Sequence, residues 1–208
     1  MPYSRGRTRW KRFALVMVPG LAATAALGIA MAQGALAASF LISGRTFQLS
    51  ADRMAVHGLS IYSMVDRTRE GDLVPVSVFG AEHVRIDGLC QSVVVPIPVL
   101  GPYTLRLTGA QDKGRAEAKD IFIDSTSLAA DQADLTDIGI GVAAGSLTDG
   151  PVNPGDRESH FFDPDGVAQQ AEKVVLIDPH FEAVAITAAT FTVPDLDVKV
   201  RQGRHECF

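Results

Sequence analysis

The sequence predicts an all-β domain, sandwich-like or open and two-layered with antiparallel strands, preceded by one N-terminal apolar helix. Three observations point there. Beyond residue 37 the apolar residues recur with a period of two rather than 3.6, β-branched residues are frequent in those stretches, and turn signals rich in Gly, Pro and Asp interrupt them. Such alternation gives each strand one wet face, which suits antiparallel sheets or solenoid walls rather than parallel sheets buried on both faces. An irregular β-solenoid is the alternative architecture.

The first 37 residues form a separate segment, and residues 38–208 form the β-rich domain. Arg5, Arg7, Arg9, Lys11 and Arg12 precede the apolar run 13–32, and no charged side chain appears between Phe13 and Arg45. A basic start followed by an apolar run is an export signature, and its positive flank stays in the cytoplasm. Two readings of it stay open. Ala35 and Ala37 give the small-x-small pattern of a signal peptidase site, so that Ala37 would be the last residue removed. The apolar run is also long enough for a membrane-spanning anchor. Either way the domain is expected outside the cytoplasm, anchored at the cell membrane or secreted.

Further along, Phe40 and Ile42, then Phe47 and Leu49, alternate in the first strand region. Val84 and Ile86 alternate with His83, Arg85 and Asp87, and Tyr103, Leu105 and Leu107 mark another strand. Phe191 and Val193, then Leu196, Val198 and Val200, mark the last ones. About ten or more short strands are expected, with little helix. A faint echo links "AEHVRID" (81–87), "AKDIFID" (118–124) and "AEKVVLID" (171–178), at unequal intervals that suit strands in equivalent surroundings better than a strict repeat.

Two stretches break the rhythm. Residues 93–102, "VVVPIPVLGP", are apolar but carry Pro96 and Pro98, which exclude a central strand. A buried edge is the plain reading, and an exposed strip for a partner or lipid is the sharper one. Residues 150–166, "GPVNPGDRESHFFDPDG", exceed the usual length of a structureless loop, so a binding surface or poor order is expected there.

Motifs for chemistry are sparse. In "GIGVAAG", Gly139, Gly141 and Gly145 lack the following helix and parallel strand of a dinucleotide site, and read as a Gly-rich turn between strands. No G-x-S-x-G is present for a serine hydrolase of the α/β type. His57, His83, His160, His180 and His205 are scattered without ligand spacing, and Asp163–Gly166 reads as a turn before it reads as a calcium loop. No catalytic, cofactor-binding or metal-binding residue is assigned, and no cofactor is expected.

The charge is more informative. The chain has 19 Lys and Arg, of which five lie in the leading segment; the remaining 14 face 24 Asp and Glu, so residues 38–208 carry a formal net charge of −10. Such a domain is a poor partner for nucleic acid or an anionic membrane surface. Cys90 and Cys207 are the two cysteines, and in an oxidising compartment they are expected to pair and tie down the C-terminus. The rival reading, a metal site of His205, Glu206 and Cys207, asks three adjacent residues to point at one ion.

The leader "SRGRTRWKRFALVMVPGLAATAALGIAMAQGALAASF", "GLCQSV" around Cys90, "GPYTLRLT" and the closing "ECF" resemble an actinobacterial, chiefly streptomycete, family of exported, signal-anchor-bearing proteins of unknown function. Members are sometimes labelled cholesterol esterase, a label for which this sequence lacks the nucleophile elbow. The resemblance implies association with a small multi-pass membrane protein, and places both cysteines in family-typical motifs. The function expected is a structural or binding role at the envelope, with an apolar ligand or a protein as partner. The alternatives are a lipid-ester or glycan hydrolase with an unrecognised site, and a carrier of apolar ligands.

Overall fold

The computed structural model describes residues 43–208 apart from Lys113; the apolar run 13–32, the site near Ala37, and Phe40 and Ile42 lie outside the described residues. The domain is all-β and every neighbouring strand pair is antiparallel, which sets aside the solenoid alternative. The ten strands are β1 (Phe47–Ser50), β2 (Arg53–Arg67), β3 (Leu73–Asp87), β4 (Leu89–Ile97), β5 (Gly101–Gly109), β6 (Ala116–Ala129), β7 (Gln132–Ala143), β8 (Val167–Ile177), β9 (His180–Thr192) and β10 (Asp197–Gln202). They form one open sheet in the order β10-β5-β4-β1-β9-β6-β3-β2-β8-β7. Among the described residues helix is confined to a 3-10 turn at Ala144–Ser146 and a four-residue helix α1 (Pro154–Arg157).

The strands are longer than expected, because several run through bends instead of ending at them. β1 continues into β2 through Ala51 and Asp52, β3 into β4 through Gly88, and β8 into β9 through Asp178 and Pro179. The bend residues bond to one another across the strands: Asp52 N to Asp87 O (2.9 Å), Asp178 N to Asp52 O (3.0 Å) and Gly88 N to Ala110 O (2.9 Å). Asp178, Gly88 and Ala110 all have positive φ there. Four stretches, 47–67, 73–97, 116–129 and 167–192, therefore pair in a closed ring even though β10 and β7 remain free edges.

Inside that ring lies the larger core, which includes Leu49, Met54, Leu59, Phe79, Ile86, Ile121, Val174 and Phe181. Phe79 and Phe181 meet edge to face with centroids 5.5 Å apart. The sheet covers its own apolar face, which is how ten strands enclose a core with so little helix.

A crease crosses the ring. Asp137, Glu172, Gly58, Glu82 and Asp120 stand opposite one another in the register, and Asp137, Gly58 and Asp120 have φ of +54°, +68° and +45°. Register is kept across this row, yet the core-facing positions step by three: Val56 to Leu59, Val84 to Ala81, Ala118 to Ile121, Val174 to Ala171. A left-handed residue on alternate strands turns the next side chain to the other face. The echo has its cause here. Ala81 and Ala171 both pair with Leu59, so β3 and β8 flank β2 in the same register, while "AKDIFID" sits in a different register on β6.

The smaller core lies on the other face of the sheet, where Tyr62, Met64, Val76, Val78 and Phe122 meet Ala144, Leu147 and Val152. Residues 150–166, where a binding surface or poor order is expected, are ordered and together with residues 144–149 cover this core. Gly150 permits it, because a Cβ there would come within 2.3 Å of the Leu59 carbonyl carbon. Gly139 and Gly141 also differ from expectation: they lie within β7, where Gly141 marks a bulge, and are not a turn between strands.

Candidate binding surface

β4 gains its second neighbour, β1, only along residues 90–92; beyond Val93 it pairs with β5 alone, and β5 pairs on its other side with β10. These arms reach past the ring, and among the described residues no further strand pairs with them. Val95, Tyr103, Leu105 and Val200 share one face in the register, and Leu105 is 41% and Val200 66% exposed. Ile97, Val198 and Leu196 extend the exposed strip. The hairpin ends in a turn over Pro98 and Val99, closed by Leu100 N to Ile97 O at 3.2 Å. The two prolines keep this stretch at an edge, as the sequence reading required. A buried edge, the plainer expectation, is not what forms, because the ring ends before it reaches Val95.

The opposite face of the same strands is polar. Thr104, Arg106, Thr108, Asp197, Lys199, Arg201 and His205 line a shallow hollow of about 140 Å³. The tail 203–208 crosses this face as a strap. Thr104 Oγ1 donates to Gly203 O (2.7 Å) and accepts from His205 N (3.0 Å). Cys207 N donates to Ser92 Oγ (3.0 Å) and Gln48 Oε1 (3.1 Å), and Phe208 stacks on His180 at 4.2 Å between centroids. Cys90 and Cys207 are bonded to each other with their Cα atoms 5.9 Å apart. The bond removes the thiolate that the rival metal site needed. The strap joins β5, β4, β1 and β9.

A third group lies under the 144–166 cover. Tyr62 Oη donates to Asp156 Oδ2 (2.7 Å) and accepts from Asn153 N (3.0 Å), and Ser60 Oγ donates to Pro151 O. Asn153 caps α1 by accepting from Gly155 N at 3.0 Å. Asp66 and Asp124 point into the same region, each with one buried carboxylate oxygen that has no partner among the described residues. Burial, reinforced by Asp66 and then Asp156, pushes the Asp124 carboxyl up to about 8. Burial and the charge of Asp156 push Asp66 up to about 6. Burial also raises Asp156, against the hydrogen bond from Tyr62 that lowers it. Sequence reading missed this trio because its members lie far apart on β2, β6 and α1.

The histidines stay apart. His57 faces Glu82 (3.5 Å), His83 faces Glu117 (3.9 Å) and His180 faces Asp178 (3.4 Å), all at partly exposed positions. Asp163–Gly166 is a turn in which Asp165 N donates to Asp163 Oδ1 at 3.0 Å. Among the described residues no three His, Cys, Asp or Glu are grouped to hold a metal ion, and no helix is long and apolar enough to cross a membrane.

In comparison with known proteins, a model described as a family of unknown function (DUF6230) matches residues 43–208. No curated protein and no solved structure matches the chain.

Proposed function

We propose that this chain, which belongs to the DUF6230 family of unknown function, is an exported envelope protein that works by binding through the apolar strip of β4, β5 and β10. The observation that carries this is the exposure of Val95, Leu105 and Val200 on one face of strands that the ring leaves unwalled. Contiguous exposed apolar surface marks an interaction site more often than free surface. Export and attachment follow the basic start and apolar run of residues 5–32, as a retained anchor or a segment removed after Ala37. The strip accepts an apolar ligand or a protein partner, including the small multi-pass membrane protein that the sequence resemblance implies.

The test is photo-crosslinking of the full chain in intact cells, with the photoreactive residue at Leu105 or, as a control, at exposed Lys119. An adduct at Leu105 and none at Lys119 is expected; no adduct at either position contradicts the reading.

One observation favours a second reading, a hydrolase. Asp124, with its pKa pushed up to about 8, is protonated at neutral pH and has the state of a general acid, with Asp66 beside it as a carboxylate. Against it, both carboxylates lie under the 144–166 cover and outside the polar hollow on β5 and β10.

A further inference from the structure

We propose that the β4–β5 tip and the β10 edge dock into the surface of an anionic lipid bilayer. This rests on the binding reading above and names the partner of the same strip. The tip has the composition of an inserting loop: residues 93–105 contain no charged side chain, and Val99 is fully exposed. Val99 also occupies the second central position of the turn with φ +71°, where glycine is favoured and a β-branched residue is strained. A bulky apolar residue held there against local preference is explained by what it touches outside the chain.

The backbone suits lipid as well. Pro96 stands opposite Pro102, and Pro98 lies in the turn, so three N–H donors are missing from the part that would leave water.

Charge is distributed to match. Although residues 38–208 carry −10 overall, residues 89–109 and 197–208 hold Arg106, Lys199, Arg201 and Arg204 against Asp197 and Glu206, a local net of +2 with −12 elsewhere. The expectation of repulsion from an anionic surface holds for the rest of the domain, whose distant charges are screened beyond about 10 Å at 0.1 M salt. Arg201 pairs with Thr104, three residues from Gly101, so the tip extends about 10 Å past it at about 3.3 Å per residue. That depth matches the roughly 5 to 10 Å at which apolar faces sit below headgroups, and leaves Arg201 level with the phosphates, with the Lys199 and Arg106 pair about 7 Å behind it, within reach of the anionic surface through their long side chains. The other exposed strip, Leu135, Ile138 and Ile140 on β7, lies among Asp131, Asp134 and Asp137 and lacks this complement.

The test uses the full chain with Trp10→Phe, so that a single reporter, Val99→Trp or the turn neighbour Leu100→Trp, supplies the fluorescence. Vesicles are equimolar phosphatidylglycerol and phosphatidylcholine, or phosphatidylcholine alone, with brominated acyl chains as quencher. Expected are a blue shift and quenching at both positions in the mixed vesicles, lost with Arg106→Gln, Lys199→Gln and Arg201→Gln together, and not shared by Val167→Trp at the other side of the sheet. Equal signals in neutral vesicles, or reporters quenched only by aqueous acrylamide, would overturn the proposal. So would a lipid-free dimer that shields position 99. Protein adducts at Leu105 in cells with no quenching here would leave the binding reading standing and remove this one.

Discussion

Asp124 has a buried oxygen with no partner among the described residues, and its pKa is raised by burial and by Asp66 and Asp156. Between the unfolded value near 4 and the folded value of about 8 the native state holds the extra proton, so its stabilising contribution is present at acid pH and is lost as pH rises through that window. Asp66 works in the same direction over a narrower range, up to about 6. Asp124→Asn keeps the shape and cannot ionise. It should raise stability at pH 8 by on the order of 1 to 3 kcal/mol, with little effect at pH 4, as followed by urea unfolding at both pH values. Retained hydrolysis of a nitrophenyl ester by that variant would remove Asp124 as the acid of the hydrolase reading, and no hydrolysis by the unaltered chain would remove the reading itself. None of this was legible from sequence: Asp66, Asp124 and Asp156 meet only because β2 and β6 share a face that α1 covers.

At the scale of elements, alternation located the strands that carry Val84 and Ile86, Leu105 and Leu107, and Val198 and Val200, because period two reports the pleat whether or not the apolar face is covered. It could not report coverage, and Leu105 and Val200 turned out exposed because coverage depends on where the ring closes. Nor could it report the crease, where alternation slips by one within continuous strands. Gly58 is the position to test. A Cβ there would lie 2.9 Å from the Asp149 carbonyl oxygen in a left-handed residue, so Gly58→Ala should destabilise by about 1 to 3 kcal/mol in thermal or urea unfolding. Asp120→Gly, at the equivalent position on β6, should be neutral or stabilising, because glycine relieves the positive φ. Residues 150–166 misled the reading for a related reason: Pro, Gly and Asp signal irregular backbone, and an irregular segment covers a core as well as a helix does when Ser60 and Tyr62 satisfy its polar groups.

For the whole molecule, the pairing of Cys90 with Cys207 is expected from the cysteine count and the export reading, while the strap through Thr104, Ser92 and Gln48 depends on side chains that no pattern singles out. Cys207→Ser should lower stability by about 2 to 4 kcal/mol and leave the Cys90 thiol open to an alkylating reagent; unchanged stability would mean that the hydrogen-bonded strap holds the terminus alone. The central claim is that the strip of β4, β5 and β10 is covered where the protein works. Hydroxyl-radical footprinting of the full chain in intact cells, against the purified chain, tests it most directly. Val95, Leu105 and Val200 should be protected in cells while Leu73 and Val167 label equally in both; equal labelling of all five would contradict the claim.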